Sequence, residues 1–281
     1  MQKNNTGNIN VSNVSDTDMQ KPVFVVSTGR SGTTTLTQIL QIHPEVCCLN
    51  EVQPPLRPEG FMKWAGYWSD SLIEKRVLDK RDKLIKQITA NRFIYIEGTP
   101  PVSHLIAEMS KLFDAKFIHL YCDGRAFVQR AVERGWHKKT SLLSRVLLFV
   151  RRRFFMRVVS GGKADRWLIP PPALNTQFEK VTWLWVEINR TILRSFSDLP
   201  EDRKFSLRLE GLDKDMLLEL HKFLGLKVYP EALNEMKEFL DKTISRVKEL
   251  EPPLYSEWSD REKSRFNEIA GDMMHSLGYT L

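Results

Sequence analysis

The densest concentration of chemistry-bearing residues is STGRSGTTTL, Ser27 to Leu36. Gly29 and Gly32 permit a tight turn and close approach of the backbone to a ligand. Around them stand the hydroxyls of Ser31, Thr33 and Thr34 and the first amides of an oncoming helix, all of them donors for an anion. Arg30 supplies a cation inside the turn, so the run reads as a phosphate loop contacting its ligand through Gly29, Arg30, Ser31, Gly32, Thr33 and Thr34. A Walker A loop needs Gly at position 27 and Lys at position 33; Ser27 and Thr33 stand there, which disfavours a conventional nucleoside triphosphatase. A plain Gly/Ser/Thr turn between two elements is the simpler alternative, and the clustering of Arg30 with hydroxyl residues weighs against it.

Such a loop has to be held between a strand and a helix. VFVVS, Val23 to Ser27, is a continuous apolar run after Pro22 and reads as a strand buried on both faces. Leu36, Ile39 and Leu40 then fall at helical spacing, with Pro44 marking the end of that helix. Two further β-rich runs, Phe93 to Gly98 and Ala115 to Tyr121, are separated by a helix expected from about Val102 to Leu112, and Lys204 to Glu210 adds a fourth. Helices are expected over 71–90, Asn175 to Phe196, Lys214 to Leu224 with Gly225 as its C-cap, Glu231 to Leu240, and Asp260 to Leu277. Pro54 to Pro58 is a proline-rich connection, and the stretch around Trp64, Tyr67 and Trp68 has no clear period. At least four strands alternating with helices predict an α/β fold, a P-loop-like doubly wound parallel sheet flanked by helices. No internal repeat and no long linker divides it, so one domain is expected over 22–281, preceded by a flexible polar lead over 1–21.

Composition narrows the setting. The 281 residues are 42% hydrophobic, enough for a sizeable core, which excludes a wholly disordered chain. The longest apolar stretch, SLLSRVLLFV from Ser141, is broken by Arg145, so no transmembrane helix is expected. The Asn-rich lead lacks the apolar segment of a secretory signal, which predicts a cytoplasmic protein. Three cysteines, two of them adjacent, build neither a disulfide framework nor the spacing of a zinc site, so no metal is expected. The net charge of +7 is local: residues 125–167 hold twelve Lys/Arg against two Asp/Glu, a net +10, leaving about −3 elsewhere. Composition leaves nucleic acid, an anionic membrane and a phosphorylated small molecule open as its partner.

The phosphate loop with Arg in its turn resembles that of the PAPS-dependent sulfotransferases, and most closely the branch that includes the protein-tyrosine sulfotransferases. In that family the loop grips the phosphosulfate end of 3′-phosphoadenosine 5′-phosphosulfate (PAPS), and its basic residue, here Arg30, neutralises charge on the leaving phosphate. HPEVCCLNE, His43 to Glu51, is similar to the HPEVxCxxE run of the tyrosine-type enzymes, which implies Glu51 as general base; a solvated loop carboxylate or a helix cap is its bland reading. Glu51 lies twenty-one residues past Arg30, as in that family. An acceptor hydroxyl attacks better as it loses its proton, so the chemistry needs such a group. His104 is the rival base, because other branches use a His; it follows EGTPP, similar to an EKTP element but with Gly98 in place of Lys.

LYCDGRAFVQRAVERG, Leu120 to Gly135, resembles the family's 3′-phosphate motif, RDGR followed by a helix and a Ser. Cys122 replaces the first Arg and Arg130 replaces the Ser, while Asp123, Gly124 and Arg125 remain. Arg134 matches a further cofactor-contacting Arg. Arg130 and Arg134 are i, i+4 on the expected helix and could clamp a phosphate together, although such pairs also occur on solvated faces. The expectation is that the lost cation moved to Arg130, with Arg125 and Arg134 beside it and Asp123 serving as an N-cap. KTISR, Lys242 to Arg246, is expected as a late cofactor loop, and Trp258 to Tyr279 resembles the terminal helix ending in LGY.

The resemblance implies a sulfotransferase releasing adenosine 3′,5′-bisphosphate without a metal, acting on a small-molecule, glycan, lipid or peptide hydroxyl and not on nucleic acid. The basic variable segment 137–163 interleaves apolar residues with arginines and could recruit an acceptor or touch an anionic membrane peripherally, or simply bury an apolar stripe. Two other classes remain. A P-loop kinase-like phosphotransferase would use KFIHLYCD as a Walker B strand ending at Asp123. A non-catalytic module binding anionic lipid or nucleic acid would use the basic patch but leave the first loop without a purpose.

Overall fold

The computed structural model describes residues 20–137, 168, 170–248 and 255–281, with backbone alone over 243–248. The polar lead up to residue 19 and the basic segment from 138 onward lie outside these residues.

Five parallel strands form the sheet: β1 (Val23–Val26), β2 (Val46–Asn50), β3 (Ile94–Gly98), β4 (Lys116–Tyr121) and β5 (Lys204–Arg208), in the spatial order β2-β3-β1-β4-β5. The described residues therefore have an α/β fold with a parallel sheet flanked by helices. Four of these strands coincide with the apolar runs expected from sequence. The fifth, β2, lies inside HPEVCCLNE; it is short, half-exposed along most of its length and pairs only with β3, so it lacks the apolar signature of the inner strands.

Alternate residues of β1 supply two cores. Phe24 and Val26 join Tyr95, Phe117 and the helices α3 (Asp70–Ala90), α4 (Ile106–Phe113), α5 (Gly124–Glu133), Gln177–Ser197 and Asp260–Ser276. Val23 and Val25 join Ile94, Ile96, Ile118 and Leu207 with α1 (Thr33–Gln41) and the helices Lys214–Leu224 and Pro230–Lys248. A short helix α2 (Arg57–Trp64) runs from the proline-rich connection to the first residue of the aromatic stretch, and in it Gly60 lies so close to Pro101 that a Cβ would meet its carbonyl oxygen at 2.5 Å.

Three expected elements differ: the helix from Val102, the loop Lys242 to Arg246, and the end of the helix expected over Glu231 to Leu240. The helix expected from Val102 is a 3-10 turn, Pro100–His104, followed by α4, because the two prolines favour a helix start and Leu105 breaks the run at φ −120°. KTISR is not a loop: it lies within the helix Pro230–Lys248, whose polar sequence contains no Gly or internal Pro to stop it at Leu240. The helix at Lys214 does end on left-handed Gly225, and Asp123 does cap α5 by accepting from the Arg125 amide.

His119 on β4 is buried against Phe196 and Tyr121, with Nε2 2.9 Å from Asn189 Oδ1. Burial pushes its pKa down from the ordinary 6.5 to about 4, the Asn189 contact only partly opposing this. The unfolded chain therefore takes up this proton first on acidification. Stability is full above about pH 6.5 and falls toward about pH 4, by up to roughly 3 kcal/mol for this group. Urea unfolding across that range should show the slope, and His119→Gln, which keeps a hydrogen-bonding side chain but cannot titrate, should flatten part of it.

Candidate active site

The register of the sheet decides which loops meet. Val25 on β1 is level with Gly98 on β3, and Gly98 is level with Asn50 on β2. On the other side Val26 is level with His119, and Tyr121 with Arg208. The phosphate loop, Glu51, the 3-10 turn, the start of α5 and the end of β5 therefore all emerge along one edge, the carboxyl edge at which open α/β sheets hold ligands.

The loop is built from backbone in the left-handed region, with φ of 73° at Gly29, 55° at Arg30 and 87° at Gly32. Such a conformation at Arg30 costs about 1–2 kcal/mol for a residue with a side chain and persists only where its surroundings enforce it. Ser27 does much of the enforcing: its Oγ accepts from the Gly29 amide at 3.1 Å and shares a 2.9 Å hydrogen bond with Thr33 Oγ1. The Ser27 backbone is in turn held by Ser103, which accepts from the Ser27 amide and donates to its carbonyl, each at 3.1 Å. Gly32 is required on two counts, its positive φ and the Leu209 side chain, which an added Cβ would meet at 2.5 Å.

Not every expected donor is equally available. The Thr33 hydroxyl is buried and shared with Ser27, and Thr34 Oγ1 accepts from Asn50 Nδ2 at 3.4 Å. Ser31 is fully buried, and its Oγ has no hydrogen-bond partner among the described residues. Gly32, as the N-cap of α1, offers no side chain to the helix's first amides, and no acidic residue lies in its first turn. A buried orphan hydroxyl, an uncapped helix start and a Gly-lined turn fit the phosphate end of a nucleotide.

Glu51 is exposed at the end of β2 with φ 50°, its amide donating to the Gly98 carbonyl at 3.2 Å. Gly98 explains the missing Lys of the EKTP-like run: a Cβ there would meet Thr37 Cγ2 at 2.6 Å and Thr33 Cγ2 at 2.9 Å, so α1 rests directly on this strand end. His104, beside Ser103, is buried, which pulls its pKa from 6.5 to about 3 and keeps the ring neutral.

At the β4–α5 junction the side chains are arranged differently from the expected clamp. Arg125 folds onto Asp123, donating through Nε and Nη2, and lies over the Tyr255 ring at 5.2 Å. Arg134 is the exposed C-cap of α5. Arg130 turns back along its helix, Nε donating to the Ala126 carbonyl at 3.0 Å and Nη2 lying 3.7 Å from Cys122 Sγ. The guanidinium thus sits beside the residue that replaces the family's Arg. Burial raises the Cys122 thiol to about 12, so it stays protonated beside that cation.

Residues 22–148 match the model of the sulfotransferase family. No curated protein matches the chain. Among solved structures, the sulfotransferase domain from the curacin biosynthetic pathway superposes with a TM-score of 0.52 at 15% identity, over 94% of this chain and 99% of that one. The sulfotransferase domain of the olefin synthase of Synechococcus PCC 7002 gives 0.52 at 16%, over 96% and 100%. Sulfotransferase STF9 from Mycobacterium avium gives 0.52 at 12%, over 94% and 78%. At these identities the likeness is one of fold. Among the described residues no helix is long and apolar enough to cross a membrane, and no group of His, Cys, Asp and Glu could hold a metal ion.

Sequence reasoning passed over two groups. Arg81 and Glu97 pair in the interior beside the Glu51 segment, and the signal was present as a charge in each of two apolar patterns. Glu210 accepts from the Asp123 amide at 2.8 Å and from Tyr279 Oη at 2.9 Å, tying the LGY run near the C-terminus to the β4–α5 junction. Neither contact has a local pattern, since the partners are 87 and 69 residues apart.

The loop's dependence on Gly32 is open to a direct test. Gly32→Ala should lower stability by roughly 1–3 kcal/mol, from the left-handed backbone and the overlap with Leu209. Urea denaturation of Gly32→Ala beside Gly32→Ala/Leu209→Ala should show the double variant recovering part of the overlap cost, relative to Leu209→Ala alone.

Proposed function

We propose that this chain is a sulfotransferase that moves a sulfuryl group from PAPS to a hydroxyl acceptor, as in the tyrosine-type branch, with Arg30 stabilising the leaving phosphate and Glu51 acting as general base. The observation that carries this reading is the meeting of an uncapped, Arg-bearing phosphate loop and Glu51 at one sheet edge, within the segment that matches the family.

PAPS, when bound, supplies the sulfuryl group and leaves as adenosine 3′,5′-bisphosphate. The amides at the start of α1, with Ser31, Thr33 and Thr34, hold the 5′-phosphate. Arg30 counters the negative charge that grows on the bridging oxygen as its bond to sulfur breaks. Glu51 takes the acceptor hydroxyl's proton as the oxygen attacks sulfur. His104 is the rival base; its ring is buried, which lowers its pKa, whereas Glu51 is exposed at the sheet edge. Arg130 holds the 3′-phosphate in place of the Arg absent at 122, supported by its approach to Cys122, while Arg125 and Arg134 add positive charge nearby. The cations of the site are arginines, and the reading needs no metal. The acceptor is a small molecule, glycan, lipid or peptide hydroxyl, reached in the cytoplasm.

The kinase alternative is weakened by Asp123, whose carboxylate caps α5 and pairs with Arg125 where a magnesium ligand would be needed. Calorimetric titration separates the readings: adenosine 3′,5′-bisphosphate should bind without metal and much more tightly than adenosine monophosphate, and Arg130→Ala should weaken it by roughly 1.5–3 kcal/mol. Tight binding of ATP only with magnesium would reverse the choice.

Glu51→Gln keeps the shape of the side chain and removes its basicity. With 4-nitrophenol, N-acetylglucosamine, a tyrosine peptide and 1-decanol screened as acceptors, it should lower turnover by about 10²- to 10⁴-fold and leave nucleotide affinity nearly unchanged. Near-normal turnover in Glu51→Gln, together with its loss in His104→Ala, would move the base to His104.

A further inference from the structure

Arg81 is a charged residue on the buried stripe of α3, in line with Ile73, Val77 and Ile85. It is 0% exposed, as is Glu97 on β3. Nε and Nη2 donate to the two Glu97 carboxylate oxygens at 2.7 and 2.8 Å, the fork matching the carboxylate. Tyr95 Oη at 2.6 Å and Thr99 Oγ1 at 2.8 Å donate to the same carboxylate. Arg81 keeps donors to spare, and these reach the chain that follows Glu51: Nη1 to the Pro54 carbonyl at 2.9 Å and Nη2 to the Val52 carbonyl at 3.3 Å. The neighbouring Lys80 donates to the Pro55 carbonyl at 2.8 Å and to the buried Glu59 at 2.7 Å.

Glu51 itself stands in the left-handed region at φ 50°, a conformation that a side-chain-bearing residue leaves unless both flanks are fixed. One flank is its amide on the Gly98 carbonyl. The other is the set of carbonyls gripped by Arg81. We infer that the Arg81–Glu97 pair is a positioning device for Glu51: Glu97 orients the guanidinium, and the guanidinium fixes the backbone at Val52 and Pro54 so that the Glu51 carboxylate faces the phosphate loop. The inference rests on the role of Glu51 given above. Arg81 and Glu97 touch no substrate; they act through the backbone.

The test uses Arg81→Lys, which keeps the charge and loses the fork, and the milder Tyr95→Phe, which removes one donor from Glu97 and leaves the ion pair. Each is made in the native chain and in Glu51→Gln. In the native chain Arg81→Lys should cut turnover at least 10-fold and Tyr95→Phe about 2- to 5-fold, with the dissociation constant of adenosine 3′,5′-bisphosphate changed less than 2-fold. In the Glu51→Gln chain both effects should shrink to less than 2-fold. Amide hydrogen exchange over residues 50–56 should quicken in the substituted chains while β1 stays protected. Equal fold losses in the two backgrounds, or unchanged exchange over 50–56, would overturn the inference. Should Arg81→Lys not fold, Tyr95→Phe decides by the same criteria. Normal turnover in Glu51→Gln alone would refute the base assignment, and the exchange measurement would still report on the grip itself.

Discussion

A fully buried ion pair at the junction of α3 and β3 governs how the carboxyl edge of this sheet is laid out. Burying two charges costs several kcal/mol per ion unless their hydrogen bonds are completed inside the protein. Here completion is thorough: the carboxylate of Glu97 accepts from Arg81, Tyr95 and Thr99, and the guanidinium of Arg81 spends its other donors on main-chain carbonyls. Burial beside that carboxylate also pushes the Tyr95 hydroxyl well above its ordinary range, so it stays a donor. Removing one partner strands the other, a change that costs about 3–5 kcal/mol in buried pairs. The proline-rich connection after β2 therefore has a defined course although it contains little regular structure.

The rest of the edge is assembled by close contacts in which a missing side chain matters as much as a present one. Gly98 lets α1 lie on the end of β3, and Gly32 leaves room for Leu209 beneath the β1–α1 loop. Leu209 and Glu210 are consecutive, so a single short turn after β5 supports the phosphate loop on one side and the Asp123 amide on the other. Ser103 ties the 3-10 turn to the backbone of Ser27 from the opposite flank. The loop's left-handed residues are thus braced from β3 and β5 together, which is how a strained turn with an Arg at positive φ is sustained.

The α/β class, the four apolar strands, the glycine-bearing turn after β1 and the caps at Asp123 and Gly225 are legible in the sequence, because each depends on residues within a few positions of one another. Apolar continuity marks a strand covered on both faces, and glycine spacing marks a turn. β2 escaped notice for the same reason in reverse: a half-exposed edge strand has neither continuity nor clean alternation. Tertiary structure decided everything that depends on register and on distant partners. It brought Glu51 and the loop to one sheet edge through Gly98, folded Arg125 onto Asp123 and Tyr255, turned Arg130 toward Cys122, and drew Lys242 to Arg246 into a helix. It also paired Arg81 with Glu97, two charges each set within an apolar pattern. A charge set within an apolar pattern needs a counter-charge once the pattern is buried, since an unpaired charge cannot stay buried. Which charge met which was settled by the packing of α3 across β3.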